Sequence, residues 1–391
     1  MLESTIKRGF ILYIFLSIFE FSLTYNSGSG SILKLYGFVL MGLWLVLFFK
    51  NSLKLERYPL YLVYFYLWMV ITLLWAKWGE FSIYYIMSMG NMIVLVLIVS
   101  SLSWKRNEMS DLLKIVQYAA LIFSLILIFE GNVYHGKTVR YTIMLFGQKM
   151  DPNGIAGLLL PAILISFNNL MRLKNIIFSG STFFISVIAL ISTGSRGGLL
   201  ALLAGMIVLV VQNLLNHQNS EVRISFKAIL IITLIFIAFF KFAMPKYDEA
   251  LLNRYKYSTV VQDKGSDRLD LWGRGWDLFN TRAITGIGIG GFEAATGKGL
   301  HNQFLIVLVE GGIIGFTLFL IALMKILSKS FGHKIVLAQA ILVSTFTVIF
   351  FLDAYNMKFF WNGIMLAVIM IKVSKMESET YGSVTINKTI A

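Results

Sequence analysis

Cysteine is absent from all 391 residues, which removes disulfide frameworks, thiolate nucleophiles and cysteine metal sites together. Charge is scarce too. Only 14% of residues are Asp, Glu, Lys or Arg, against roughly a quarter in a soluble domain, so the chain lacks the surface to stay in water. There is no D-x-D pair, H-E-x-x-H, P-loop or cluster of histidines. A metal-held nucleotide-sugar, a zinc hydrolase and a phosphate-cradling NTPase therefore have no motif to stand on, and no metal or cofactor is expected. No A-x-A-like cleavage site follows the first apolar run, which reads as a membrane helix and not as a signal peptide.

What the chain does have is apolar length. Hydrophobic residues make up 57% of it, and runs long enough to cross a bilayer recur throughout. Spans are predicted near 9–25, 31–49, 58–75, 82–102, 112–130, 153–170, 175–193, 197–215, 226–244, 302–327, 334–352 and 357–373. The fold class is an all-α polytopic membrane protein of about twelve transmembrane helices, with a long external loop, about 245–300, between helices 9 and 10. It forms one transmembrane domain over 1–375, followed by a polar cytoplasmic tail, 376–391, that reads as unfolded.

The net charge of +14 does not indicate nucleic acid, because the charges sit in short loops between apolar runs. Placing both termini inside gives eighteen Lys and Arg to cytoplasmic segments and seven to short external loops, which is the positive-inside pattern. Of the other nine, eight lie in the long loop, a departure that calls for a local reason. No matching halves appear, as repeat-built transporters would show.

The polar features gather on the external side. "GKGLHNQFLIVLVEGGIIG", from Gly297 to Gly315, opens a span with His301, Asn302 and Gln303. Imidazole titrates nearest neutrality and suits proton transfer to or from a hydroxyl. The alternative for His301 is a plain interfacial cap. Glu310 lies nine residues on, at about 100° per residue and roughly 13 Å along the axis, so it faces away and cannot partner His301 within one helix. It is expected to hydrogen-bond a neighbouring element beside Gly311 and Gly312.

"LISTGSRGGLLALLAG", from Leu190 to Gly205, turns one span into the next with Arg196 at the apex. A guanidinium fixed there matches phosphate oxygens, and the alternative is a snorkelling residue among lipid headgroups. In the long loop, "GSDRLDLWGRGWDLF" places Leu269, Trp272, Trp276 and Phe279 at helical spacing, with Ser266 or Asp267 as cap. Arg268 opens that helix, where the dipole favours an anion. Arg274 and Arg282 add charge. "TGIGIGGF" follows and reads as a pliable loop over the site. Asp151 and Asn153 open the sixth span, as a cap or as the lining of a polar cavity.

Together "TGSRGG", "DRLDLWGRGWDLF", "ITGIGIGGF" and "HNQFLIVLVEGGIIGFTLF" resemble the O-antigen ligase and polymerase family of membrane glycosyltransferases. These motifs cover about 190–320, and the first five spans carry no signature. The resemblance implies a GT-C-type enzyme that takes a glycan from undecaprenyl diphosphate on the external side of the cytoplasmic membrane. By the same resemblance Arg196 and Arg268 bind the donor diphosphate and His301 activates the acceptor hydroxyl. Asn302, Arg274, Trp272 and Asn153 are supporting candidates. No metal is needed, and the anomeric centre inverts. The first expectation is a repeat-unit polymerase of O-antigen, capsule or exopolysaccharide, acting on a lipid-linked glycan with a chain-length regulator as partner. The alternatives are a ligase acting on lipid A-core, a protein O-oligosaccharyltransferase and a lipid-linked glycan transporter.

Overall fold

The computed structural model describes residues 1–19, 24–25, 30–51, 53–77, 80–135, 139–145, 148–215, 251, 255 and 268–389. Among the described residues the body is built from α1 (Leu2–Ser17), α2 (Ile32–Asn51), α3 (Leu60–Ile71), α4 (Glu80–Ser101), α5 (Arg106–Glu130), α6 (Pro152–Met171), α7 (Ile176–Ser192), α8 (Arg196–Leu215), α9 (Arg268–Thr281), and, after the short α10 (Gly291–Thr296), α11 (Gln303–Gly332) and α12 (Val336–Ile349). The last helix is α13 (Lys358–Thr389). Among the described residues seven helices are long and apolar enough to cross a membrane, and Leu60–Leu74, Ile176–Ser192 and Val336–Ile349 are shorter apolar helices. The predicted ninth span, 226–244, and the proposed cap Ser266 or Asp267 lie outside the described residues. The chain is thus an all-α polytopic membrane protein, to which the structure adds three two-stranded ribbons in the loops.

Burial separates centre from periphery. Within α6 and α13, 94% and 78% of the spanning window is enclosed, against 28% in α2 and α8. The central packing depends on small residues that let helices close up. A side chain on Gly157 would strike Phe359 of α13, one on Gly205 would strike Leu164, and one on Gly363 would strike Thr345. Some polar groups inside the bundle pair with one another, which compensates for the lack of water there. Gln117 donates to Ser166 Oγ at 2.8 Å and Ser124 to Ser186 Oγ at 3.1 Å. Lys7 fastens α1 to the start of α5 through Glu108 at 3.1 Å.

Three expectations change. The tail does not unfold at 376, because α13 continues to Thr389. The apolar face of α9 is narrower than its spacing suggests: Gly275 and Phe279 are buried while Leu269 and Trp276 are exposed. Gly275 is what seats the helix, since a Cβ there would lie 2.6 Å from Leu300.

The glycine-rich segment is the third. It is locked into a break in α11 and is no pliable cover. Gly312 has φ 64° and ψ −171°, which interrupts the helix. Residues 283–288 fill the break: Ile287 N–H donates to Val309 O, Gly288 N–H to Glu310 O, and Ile313 N–H to Ala283 O. Trp68 and Trp75 donate their indole N–H groups to Gly311 O and Gly286 O, at 2.8 and 3.0 Å. Glu310 is buried there, accepting from Phe292 N–H at 3.2 Å. Its expected bond to a neighbouring element is to the start of α10.

Candidate functional site

The connection between α12 and α13, residues 350–357, gathers segments that are far apart in sequence. Phe350 meets the ring of Trp272 edge-on at 5.8 Å and that of Phe304 at 6.3 Å. Phe351 takes the guanidinium carbon of Arg268 over its ring at 5.8 Å, a cation–π contact. On its other flank Phe351 packs so closely against Gly197 that a Cβ at that glycine would fall 2.9 Å from it. Arg196 is the next residue along and the first of α8. One aromatic residue therefore adjoins both arginine-bearing segments.

Two residues further on, Asp353 holds the histidine. Its carboxylate accepts from the backbone N–H of His301 at 2.9 Å and of Asn302 at 3.1 Å. His301 has φ 58°, the left-handed region, which costs a residue with a Cβ roughly 1–2 kcal/mol. Two charge-assisted hydrogen bonds offset that cost and fix the turn. The imidazole itself stays exposed. Burial pushes the Asp353 carboxyl above its ordinary value, while the His301 and Asn302 N–H groups and the His301 side chain pull it back.

The neighbours of His301 are fixed as well. Asn302 is buried and caps α11, its side-chain oxygen accepting from Phe304 and Leu305 N–H at 3.0 Å each. Gln303 Oε1 accepts from Ala354 N–H, tying α11 again to the 350–357 connection. Trp272 donates to Leu300 O at 3.2 Å, just before the histidine. Asn302 and Trp272 thus support the turn that carries His301.

Asn153 belongs to a separate chain of contacts. Asp151 caps α6, and Asn153 Oδ1 accepts from Arg140 at 2.7 Å. Arg140 also donates to Thr193 O at 2.9 Å, in the turn before Arg196. Asn153 therefore braces the arginine hairpin from behind. Arg274 is exposed, and no contact among the described residues brings it to this cluster.

Sequence reasoning missed Asp353, Phe351 and Arg140. Asp353 did leave a signal: a lone carboxylate in "FLDAYN", between two apolar runs, is expensive enough at a membrane boundary to imply a partner. Phe351 left none, because its value lies in what converges on it.

Comparison with known proteins agrees on the same stretch. Residues 181–320 match the family model described as O-antigen ligase, which spans the hairpin, α9 and the start of α11. Among curated proteins nothing matches. A chain in the structure described as "Structural coordination of polymerization and crosslinking by a peptidoglycan synthase complex" is similar at 15% identity and a TM-score of 0.46, covering 82% of this chain and 97% of that one. Residues 181–320 of this membrane protein thus resemble the O-antigen ligase family, over the hairpin, α9 and the start of α11.

Proposed function

We propose that the chain moves a glycan from undecaprenyl diphosphate to an acceptor hydroxyl on the external side of the cytoplasmic membrane, as a repeat-unit polymerase. Both termini then lie in the cytoplasm, and the acceptor is a second lipid-linked glycan. The observation that carries the reading is the 350–357 connection, where Phe351 adjoins both arginine segments and Asp353 fixes the His301 turn.

The roles follow from chemistry. The exposed imidazole of His301 takes the proton of the acceptor hydroxyl. The oxygen bonds to the anomeric carbon as the bond from that carbon to the diphosphate oxygen breaks. The diphosphate leaves with the electron pair, and Arg196 and Arg268 stabilise the charge that develops on it. Attack from the face opposite the leaving group inverts the anomeric centre.

Purified protein supplied with lipid-linked glycan tests this. A ladder of lengthened lipid-linked product with inverted linkages is expected, and its loss in His301→Ala. Full turnover in His301→Ala, or retained configuration, would sink the mechanism. Transfer to lipid A-core without a ladder would replace polymerase by ligase.

A further inference from the structure

At the far ends of α11 and α13 from His301 lies a cavity of about 320 Å³. Its walls come from the segment before α3 (Glu56, Tyr58), from the end of α11 (Lys329, His333) and from α13 (Lys372, Lys375, with Glu379 at the rim). The apolar spanning segments of both helices, Gln303–Gly332 and Lys358–Glu379, end at this level, which puts the cavity at the membrane–water boundary. The candidate site uses none of these residues.

The charges are unevenly matched. Glu56 is fully engaged by two ammonium groups, Lys372 at 2.8 Å and Lys375 at 3.0 Å, so that trio keeps one positive charge. Lys329 makes no ion pair among the described residues and stands in the last turn of α11. The Tyr58 hydroxyl is buried, with 5% of the residue exposed, and has no hydrogen-bond partner among the described residues. A buried donor without a partner is destabilising, and a ligand oxygen would satisfy it. The local field is positive: burial first, and then Lys329 and Lys375, hold the His333 imidazole below its ordinary value against Glu56 and Glu379.

We propose that this cavity binds a phosphate group, with Lys329 and Lys375 neutralising the anion and the Tyr58 hydroxyl donating to one of its oxygens. Its position at the boundary favours the phosphodiester of an anionic phospholipid, since basic pockets between helix ends take such headgroups. Volume is consistent, because 320 Å³ is at the lower end of small-ligand sites.

The test reads binding, so it stands apart from any assay of glycan transfer. Full-length protein is reconstituted in nanodiscs of phosphatidylcholine with or without phosphatidylglycerol, and in detergent with inorganic phosphate. Thermal unfolding and retained lipid phosphorus are measured. Phosphatidylglycerol is expected to raise the unfolding temperature of the wild type, with the increment lost in Lys329→Glu and reduced in Tyr58→Phe. In phosphatidylcholine alone Tyr58→Phe should unfold no lower than the wild type, which separates ligand loss from misfolding. Stabilisation by inorganic phosphate that Lys329→Glu abolishes would support the phosphate site and make its source soluble. Equal stabilisation of wild type and both variants, or none from either source, would overturn it.

Discussion

Replacing Asp353 with Asn removes one negative charge with almost no change in shape. The carboxylate serves two backbone donors, His301 N–H at 2.9 Å through Oδ2 and Asn302 N–H at 3.1 Å through Oδ1. An amide offers one acceptor oxygen, so one donor is left facing an NH₂ group. Losing that bond costs about 1–3 kcal/mol. His301 at φ 58° is the residue with most to gain by relaxing, and the imidazole would move with it. At 1.36 kcal/mol per factor of ten, turnover falls by roughly 5- to 150-fold. Donor affinity should hold, because the Asp353 carboxylate serves the His301 and Asn302 N–H groups and not Arg196 or Arg268, the proposed diphosphate ligands. The assay is steady-state glycan transfer by Asp353→Asn, with donor binding measured separately on the same preparation. Turnover within two-fold of wild type would refute the argument. So would an equal loss of donor binding and turnover, which would make Asp353 a general structural support.

Three further outcomes follow from the same contacts. Gly312→Ala places a Cβ 2.3 Å from Ile284 O and 2.5 Å from Gly286 N, both backbone atoms, so folded protein should not survive size-exclusion chromatography. Asn302→Ala removes the cap of α11 and should cost about 1–2 kcal/mol, read as a lower unfolding temperature together with reduced turnover. Glu56→Gln tests the far end of the bundle. Burial alone would raise the Glu56 carboxyl, but Lys372 and Lys375 lower it on balance. A lowered carboxylate stabilises the fold above its unfolded value, near 4.3, and loses that contribution as pH falls through the folded value. The wild type should therefore exceed Glu56→Gln by on the order of 1 kcal/mol at pH 7, since one lysine is partly exposed. That gap should close below about pH 4 in thermal unfolding scans.

Most of the spans were legible because a bilayer demands long apolar runs, and α2 to α8 start and stop within a few residues of the hydropathy limits. The hairpin arginine was legible for the same reason, since "TGSRGG" interrupts two such runs. What escaped was tertiary. "TGIGIGGF" has the composition of a flexible loop, yet it threads the break at Gly312, because residues free of Cβ atoms are what close backbone-to-backbone packing requires. Glu310 was expected to bond a neighbour, but its partner, the start of α10, lay in a segment with no periodicity to announce it. Asp353 sat in the eight-residue connection 350–357, too short to carry a pattern. Phe351 is apolar among apolar residues, and only convergence reveals it.

The central claim is that Arg196 and Arg268 hold one diphosphate, and a double-mutant cycle on donor binding tests it most directly. Purified wild type, Arg196→Ala, Arg268→Ala and the double variant are titrated with undecaprenyl diphosphate at one ionic strength. If both guanidiniums clamp the same group, each single change weakens binding, and the double variant departs from the product of the two by 0.5 kcal/mol or more, in the range of about 0.5–3 kcal/mol for residues sharing a partner. Wild-type affinity in either single variant, or strictly multiplicative losses, would contradict the shared site at Phe351.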